Sequence, residues 1–349
     1  MQGKRQCGVF SSEVKACQEM TADEIALWKK TTRERPEYHS AFYTYSFFAA
    51  VSAVYQDAYV SIIRQGDQIV CFFPFQLMKG MGRFCLAGER IGEEMSDYFA
   101  PIYTTDVLVT PDQFMTLTGL HYFYFTHLEQ FFVEKREIDA SQGEIGLKVD
   151  LRQAGQDYFD SLKEKHKSLY PDTKRREKKA IQEKGEMTFV FQSRDENDYA
   201  FLIAKKNAQY ERTKRVGYFR KERTELLDYL FRHENDEFQT TLSTISFGGN
   251  LMAAHLGMFY QGVLHYWFPV YDFECQKYSP GRLLLCKIIE TASENKIEVI
   301  DRGSGDTPYK RDFSNEEHYF YKGAWSQASI KGTLFSLKQS LEWRLQTNG

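Results

Sequence analysis

Asp301, Asp306, Tyr309 and Lys310 crowd into one short segment, Asp301-Arg302-Gly303-Ser304-Gly305-Asp306-Thr307-Pro308-Tyr309-Lys310. Carboxylates, a phenol and an amine are the groups that move protons and balance charge in acid–base catalysis. The bland reading is that Asp306 caps a turn, Lys310 is a surface cation and Asp301 caps the end of a strand. A second segment lies upstream, where the strand pattern Leu264–Val270 runs through a loop into Tyr278-Ser279-Pro280-Gly281-Arg282-Leu283. A helix that starts there presents unsatisfied N–H groups, and its dipole favours an anion. Pro280 suits the first turn, Gly281 lets a ligand approach the backbone, and Arg282 adds a cation. Together these residues suit a pyrophosphate; alone, Ser-Pro-Gly is equally a stop-and-start signal for the chain.

Other residue types call for weighing. His255 and His265 fall on neighbouring strands, where an imidazole can act as a general base near neutral pH. A satisfied, half-buried histidine is the commoner outcome, and His265 is the better placed because it lies beside the proposed loop. Residues 163–184 are rich in Lys and Arg, but Glu164, Glu177 and Glu183 are interspersed. That pattern reads as a solvated helix face, with phosphate binding as the alternative.

The elements that must position these groups follow from periodicity. Thr21 and Glu24 form a capping-box pattern opening a helix through Trp28, and a second helix runs from about Thr44 to Val54. Ala58–Arg64 and Gln68–Phe75 flank Gln65-Gly66-Asp67 as a hairpin, a strand is expected around Arg83–Leu86, and aromatic strands continue to Phe132. Ser141–Gly146 is the candidate boundary. Helices are then expected at Gln153–Lys184, Asp195–Glu211 and Arg223–His233. Strands follow at Glu237–Phe247, Leu251–Tyr260 and Val263–Val270, a helix from Gly281 to about Glu294, and a strand at Ile297–Arg302. A strand from about Tyr319 to Ile330 and a helix from Leu334 to Leu345 close the chain. This is an α+β layout.

At 349 residues the chain suits two domains, and 42% hydrophobic with 27% charged residues is ordinary for a globular protein. A net charge of −3 gives no argument for DNA or membrane binding. The six cysteines form no C-x-x-C pair and no metal-ligand spacing is present, which points to reduced thiols and no metal. No signal peptide or run of about 18 apolar residues is visible, so a cytoplasmic location is expected.

The strand–YSPG–helix–strand–D-x-G-x-G-D-x-x-Y-K arrangement resembles the GNAT acyltransferase superfamily. More narrowly it is similar to the CelD-like branch of cellulose and exopolysaccharide biosynthesis, which is related to the FemAB aminoacyltransferases. The resemblance is best over about 155–315 and weaker over 40–105. It implies two tandem GNAT-like domains, each a mostly antiparallel mixed sheet flanked by helices. The expected division is a flexible leader at 1–20, a degenerate GNAT-like domain at 21–145 and the acyltransferase domain at 146–349.

The resemblance also implies roles. Ser279, Gly281, Arg282 and Leu283 would cradle the pyrophosphate of acyl-CoA, with Leu264–Val270 as the splayed edge along the acyl arm. Lys310 would stabilise charge on the reacting carbonyl, Tyr309 would protonate the leaving thiolate, and Asp301 or Asp306 would orient or deprotonate an amine. Asp97 and Tyr98 would face the acceptor; Tyr210, at a helix end, and His265, on the strand beside the loop, are further candidates for that contact from their own positions. The implied activity is acyl transfer from acyl-CoA to a small amine, such as a sugar amine of envelope or polysaccharide biosynthesis. The loop carries one Gly where Q/R-x-x-G-x-G/A has two, which keeps aminoacyl-tRNA open as the donor. A non-catalytic GNAT-fold subunit of a polysaccharide system is the third reading.

Overall fold

A computed structural model describes residues 3–136, 141–152, 158–214 and 219–347. The chain begins with β1 (Gly3–Cys7), β2 (Phe10–Lys15), α1 (Ala22–Glu34), α2 (Tyr45–Val54), β3 (Ala58–Gln65) and β4 (Gln68–Leu77). It continues with α3 (Met81–Phe84), β5 (Ala87–Glu89), β6 (Ile102–Tyr103), α4 (Pro111–Thr118), β7 (Tyr122–Glu129) and α5 (Gln130–Arg136). Next come β8 (Ser141–Asp150), α6 (Tyr158–Lys165), α7 (Leu169–Lys184), β9 (Met187–Val190), α8 (Glu196–Arg212) and α9 (Lys221–Arg232). After these lie β10 (Gln239–Phe247), β11 (Asn250–Tyr260), β12 (Val263–Tyr271), α10 (Pro280–Glu290), β13 (Val299–Ser304) and α11 (Pro308–Arg311). Two further elements, β14 (Glu316–Ser326) and α12 (Ile330–Thr347), complete the order. Two compact units result: Met1–Glu144 with Tyr319–Gly349, and Ile145–His318.

In the first unit the strands run β1-β2-β3-β4-β5-β7-β14, with β6 also on β4. Where a loose leader was expected over 1–20, residues 3–19 form β1, β2 and a short turn of helix. Phe10, Ser12 and Val14 alternate inward, β2 pairs β3 from Phe10↔Gln65 to Lys15↔Val60, and the Ser12 hydroxyl donates to the Leu117 carbonyl at 2.7 Å. The closing strand and helix also depart from expectation, since from Tyr319 onward they belong to this first unit. Trp325 stacks on Phe114 with centroids 5.7 Å apart, and Phe335 meets Tyr122 edge-on at 5.1 Å. Large aromatic surfaces like these dominate core energetics, and a chain-order reading cannot see them meet. The strand expected around Arg83–Leu86 is instead α3: Gly80 turns the chain at φ +60°, and the Cys85 N–H reaches back to the Met81 carbonyl at 2.9 Å.

The capping box that opens α1 has both of its hydrogen bonds, Glu24 N–H to Thr21 Oγ1 and Thr21 N–H to Glu24 Oε2. Glu24 is buried, and it also takes Lys15 Nζ at 3.0 Å and Arg64 Nη2 at 2.9 Å. Burial alone would raise its pKa; the Thr21 amide, Lys15 and Arg64 outweigh that and hold it below the ordinary 4.5. A depressed carboxylate stabilises the fold above its unfolded pKa, and the contribution disappears as pH falls through the folded value. Melting temperatures measured from pH 6 down to 3 are therefore expected to fall less steeply in Glu24→Gln than in the wild type. Parallel curves would show that Glu24 contributes nothing to the acid limb.

The second unit has strand order β8-β13-β12-β11-β10-β9. The pairs are antiparallel except β12 with β13, which run parallel on either side of α10. β11 is buried along nearly its whole length, the mark of a strand covered on both faces. α7 and α10 share a core with the sheet through Ala180, Leu264, Leu284, Ile288 and Ile300. α8 also packs on β11 and β12. The single helix expected over 153–184 is two helices, broken where the Leu169 N–H turns back to the His166 carbonyl so that Leu162 and Leu169 both reach that core; 153–157 lie outside the described residues. No helix among the described residues is long and apolar enough to cross a membrane.

Candidate active site

The parallel ladder of β12 and β13 is short. It pairs Val263↔Val299, Leu264↔Ile300 and His265↔Asp301, then stops, while both strands continue. On its other side β12 is distorted. Leu256 opposes Phe268 and Met258 opposes His265, so Tyr266 and Trp267 together face Gly257. A bulge of this kind bends its strand and re-aims side chains. A cavity of about 460 Å³ opens there, lined by Tyr266, Pro269 and Val270 of β12, Ser279–Arg282 at the head of α10, Arg302 of β13, and Gln209, Tyr309 and Asp312. Parting strands expose backbone and side chains that a complete ladder would hide, which makes the gap the natural seat of an extended ligand.

The head of α10 offers fewer donors than its sequence promised. Ser279 sits in the left-handed region at φ 54°, ψ 53°, and its carbonyl takes both the Arg282 and Leu283 N–H groups at 3.0 and 3.1 Å. Pro280 has no N–H, so Gly281 carries the first-turn amide that the Ser279 carbonyl does not take. The Leu283 side chain points into the core at 2% exposure rather than to the cavity. Gly281 has an ordinary φ, and a Cβ there would find only Tyr271 at 3.7 Å; the position leaves room beside the backbone but does not demand glycine. Arg282 lines the cavity and bridges Asp172 (3.2 Å) and Asp312 (3.4 Å).

The Asp301–Lys310 segment splits by environment. Tyr309 lines the cavity with its ring 59% exposed. Asp306 does not; it is on the surface in a bidentate pair with Arg311, which holds its carboxyl below the ordinary value. A carboxylate so held is a poor base. Lys310 is absent from the lining too, its ammonium donating to the Ser304 carbonyl over Gly305. Asp301 is buried at the last rung of the ladder and accepts the Gly303 N–H at 2.9 Å. His265 is buried beside it, Nδ1 3.8 Å from the Asp301 carboxylate. Neither is among the residues lining the cavity, and Asp301 sits inside the strand at the last rung of its ladder.

Of the expected acceptor residues, Tyr98 is 4% exposed in the aromatic core of the first unit, against Phe42, Tyr43 and Phe320. That burial sets it among the core residues of the first unit, and it is not among the residues lining the cavity. Asp97 is half-buried in the same unit, close enough to Arg90 and His127 to act on their titration; burial, then Arg90, brings His127 down to about 4. Tyr210 packs edge-on with Phe219 at 5.4 Å, with Lys206 Nζ 5.1 Å from its ring, and it is its neighbour Gln209 that lines the cavity.

Arg302, Gln209 and Asp312 are among the lining residues that sequence reasoning passed over. Arg302 is 5% exposed; its Nη1 donates to the carbonyls of Tyr309 (3.1 Å) and Lys310, and the Tyr309 ring lies 5.6 Å away. Burial pulls its pKa down, yet a guanidinium stays charged. Taking such an ion out of water costs several kcal/mol unless it is paired. Its one sequence signal was a basic residue at the end of a strand in the Gly-rich segment.

Residues 170–311 match the family model for the acetyltransferase (GNAT) domain. That stretch lies within the second unit, which is similar to a GNAT acetyltransferase domain. Three solved structures share the fold over most of the chain. FemX aligns with 93% of this chain and 99% of its own, at 10% identity and a TM-score of 0.52. A tandem GNAT protein from the clavulanic acid biosynthesis pathway aligns over 92% and 100%, at 10% identity and a TM-score of 0.51. The C-terminal DUF2156 domain of an Agrobacterium fabrum protein aligns over 90% and 95%, at 11% identity and a TM-score of 0.55. No curated protein matches the chain. The architecture is α+β, similar to these tandem GNAT and FemX structures, and the second unit holds the cavity, the head of α10 and the β12–β13 gap.

Proposed function

We propose that the GNAT domain transfers an acyl group from acyl-CoA to an amine. The observation that carries this reading is the cavity at the point where β12 and β13 part, with the head of α10 and a buried cation in its wall. In this reading the CoA diphosphate lies at the Gly281 amide and the Arg282 guanidinium, and the thioester arm runs along Tyr266–Val270. The acceptor nitrogen attacks the thioester carbon, a C–N bond forms, and the C–S bond breaks as the thiolate departs. Tyr309 hands its proton to that thiolate. Asp312, the carboxylate among the lining residues, receives the proton the amine gives up. The acceptor class suggested by the CelD-like resemblance, a sugar amine or other small amine of envelope or polysaccharide biosynthesis, belongs to this proposal.

A second donor, aminoacyl-tRNA, is favoured by the sparse donors at the head of α10 and weakened by α7, whose cations are largely spent on neighbouring acids. Lys174 pairs with Glu177 and Glu290, and Arg175 and Arg176 pair with Asp172. Calorimetric titration with CoA, acetyl-CoA and longer acyl-CoAs is the test, with tRNA at low salt as the comparison. Saturable CoA binding is expected, worth about 2.7 kcal/mol of stabilisation at a hundredfold excess over Kd. Retention of tRNA without CoA binding moves the reading to the second donor, and binding of neither overturns acyl transfer.

A further inference from the structure

One edge of the Arg302 guanidinium has no partner among the described residues. Nη1 is committed to the Tyr309 and Lys310 carbonyls, whereas Nε is buried without a hydrogen bond, and Nη2 has none among the described residues. Nε–H and Nη2–H lie on the same edge of the planar group, the fork that meets a carboxylate with two parallel bonds. Arg302 is also wall of the cavity, so the uncommitted edge and the ligand space adjoin. A second unsatisfied group shares that wall: Gln209 Oε1 is buried and accepts no hydrogen bond from the described residues. An acceptor oxygen of this kind wants an N–H or O–H from the ligand. The other charges lining the cavity, Arg282 and Asp312, face each other at 3.4 Å, so among the described lining residues Arg302 is the cation with no carboxylate partner, free for a second anionic group beside the diphosphate held at Arg282.

We propose that the cavity takes a carboxylate-bearing substrate, gripped bidentately by Arg302, with Gln209 Oε1 receiving a hydrogen-bond donor from the same ligand. An amine that also carries a carboxylate supplies both groups; a carboxylate at the end of the acyl chain supplies the first. The identity of this substrate as acceptor or acyl group rests on the acyl-transfer reading, but the grip on a carboxylate is measurable without turnover. A desolvated cation with a preset fork discriminates strongly, because an uncharged isostere leaves it unpaired.

The test is calorimetry on the full chain with two matched pairs. One pair is 3-aminopropanoate against 3-aminopropanamide, each with CoA present; the other is succinyl-CoA against butyryl-CoA. At least a tenfold preference for the carboxylate member of one pair is expected, and that pair says whether acceptor or acyl group carries it. Arg302→Lys keeps a charge and a donor for the loop carbonyls but loses the fork, and it is expected to erase the preference while CoA affinity stays within about twofold. Arg302→Gln is the second variant, read by the same ratio. Equal binding within both pairs, no binding of either, or a preference unchanged in Arg302→Lys overturns the proposal. CoA binding without discrimination leaves acyl transfer standing and removes this inference alone.

Discussion

Arg282→Glu is expected to weaken CoA binding at least about 100-fold, or about 2.8 kcal/mol at 1.4 kcal/mol per tenfold. Arg282 stands in the first turn of α10 and already ties Asp172 to Asp312. Reversing its charge removes the cation from the head of the helix and places a third carboxylate there. The diphosphate then meets repulsion where it had attraction, in surroundings where charges about 4 Å apart interact by up to about 4 kcal/mol. Arg282→Met separates the two effects, since it removes a cation without adding an anion, and about a tenfold loss is expected. Titration of both variants with CoA, alongside circular dichroism to show they fold, is the measurement. Affinity unchanged in Arg282→Glu means the diphosphate does not sit at the head of α10.

Gly257→Ala is expected to destabilise the protein by about 2–3 kcal/mol and to abolish CoA binding with it. A Cβ at Gly257 falls 2.4 Å from the His265 carbonyl oxygen and 2.5 Å from His255 Cε1. The first of these is backbone of β12 at the rung where the register shifts, so relief requires moving the strand that forms the cavity wall. His255 cannot retreat freely either, being fully buried and stacked on Tyr266 with ring centroids 3.9 Å apart. Gly281→Ala is the contrast: its Cβ meets nothing closer than 3.7 Å, and stability is expected to hold within about 0.5 kcal/mol. Urea denaturation of the two variants decides the matter. A Gly257→Ala midpoint equal to that of Gly281→Ala would mean the strands do not approach so closely.

The fold was legible where local chemistry decides it. The Thr21–Glu24 box, the hairpin around Gly66 and the strand–loop–helix at Ser279 each depend on residues a few positions apart, and the structure has them at those places. Two signals of the same local kind were present and passed over. One is the alternation of Phe10, Ser12 and Val14. The other is the Thr110–Gln113 capping box that opens α4.

Within the candidate site, the sequence by itself determined the segment and the helix head, because Pro280 fixes its φ and lacks an N–H, which suits the first turn of a helix. Only the tertiary structure decided which side chains face the cavity. Asp306 was taken out by Arg311 and Lys310 by the Ser304 carbonyl, while Arg302 and Gln209, unmarked in the chain, ended in the wall with polar atoms unpaired. For Arg302 and Gln209 the physical reason is that burial is set by strands and helices far apart in sequence, whereas Asp306 and Lys310 are held by partners in their own segment. The same arginine is a solvated surface group or a desolvated anion receptor according to what packs around it.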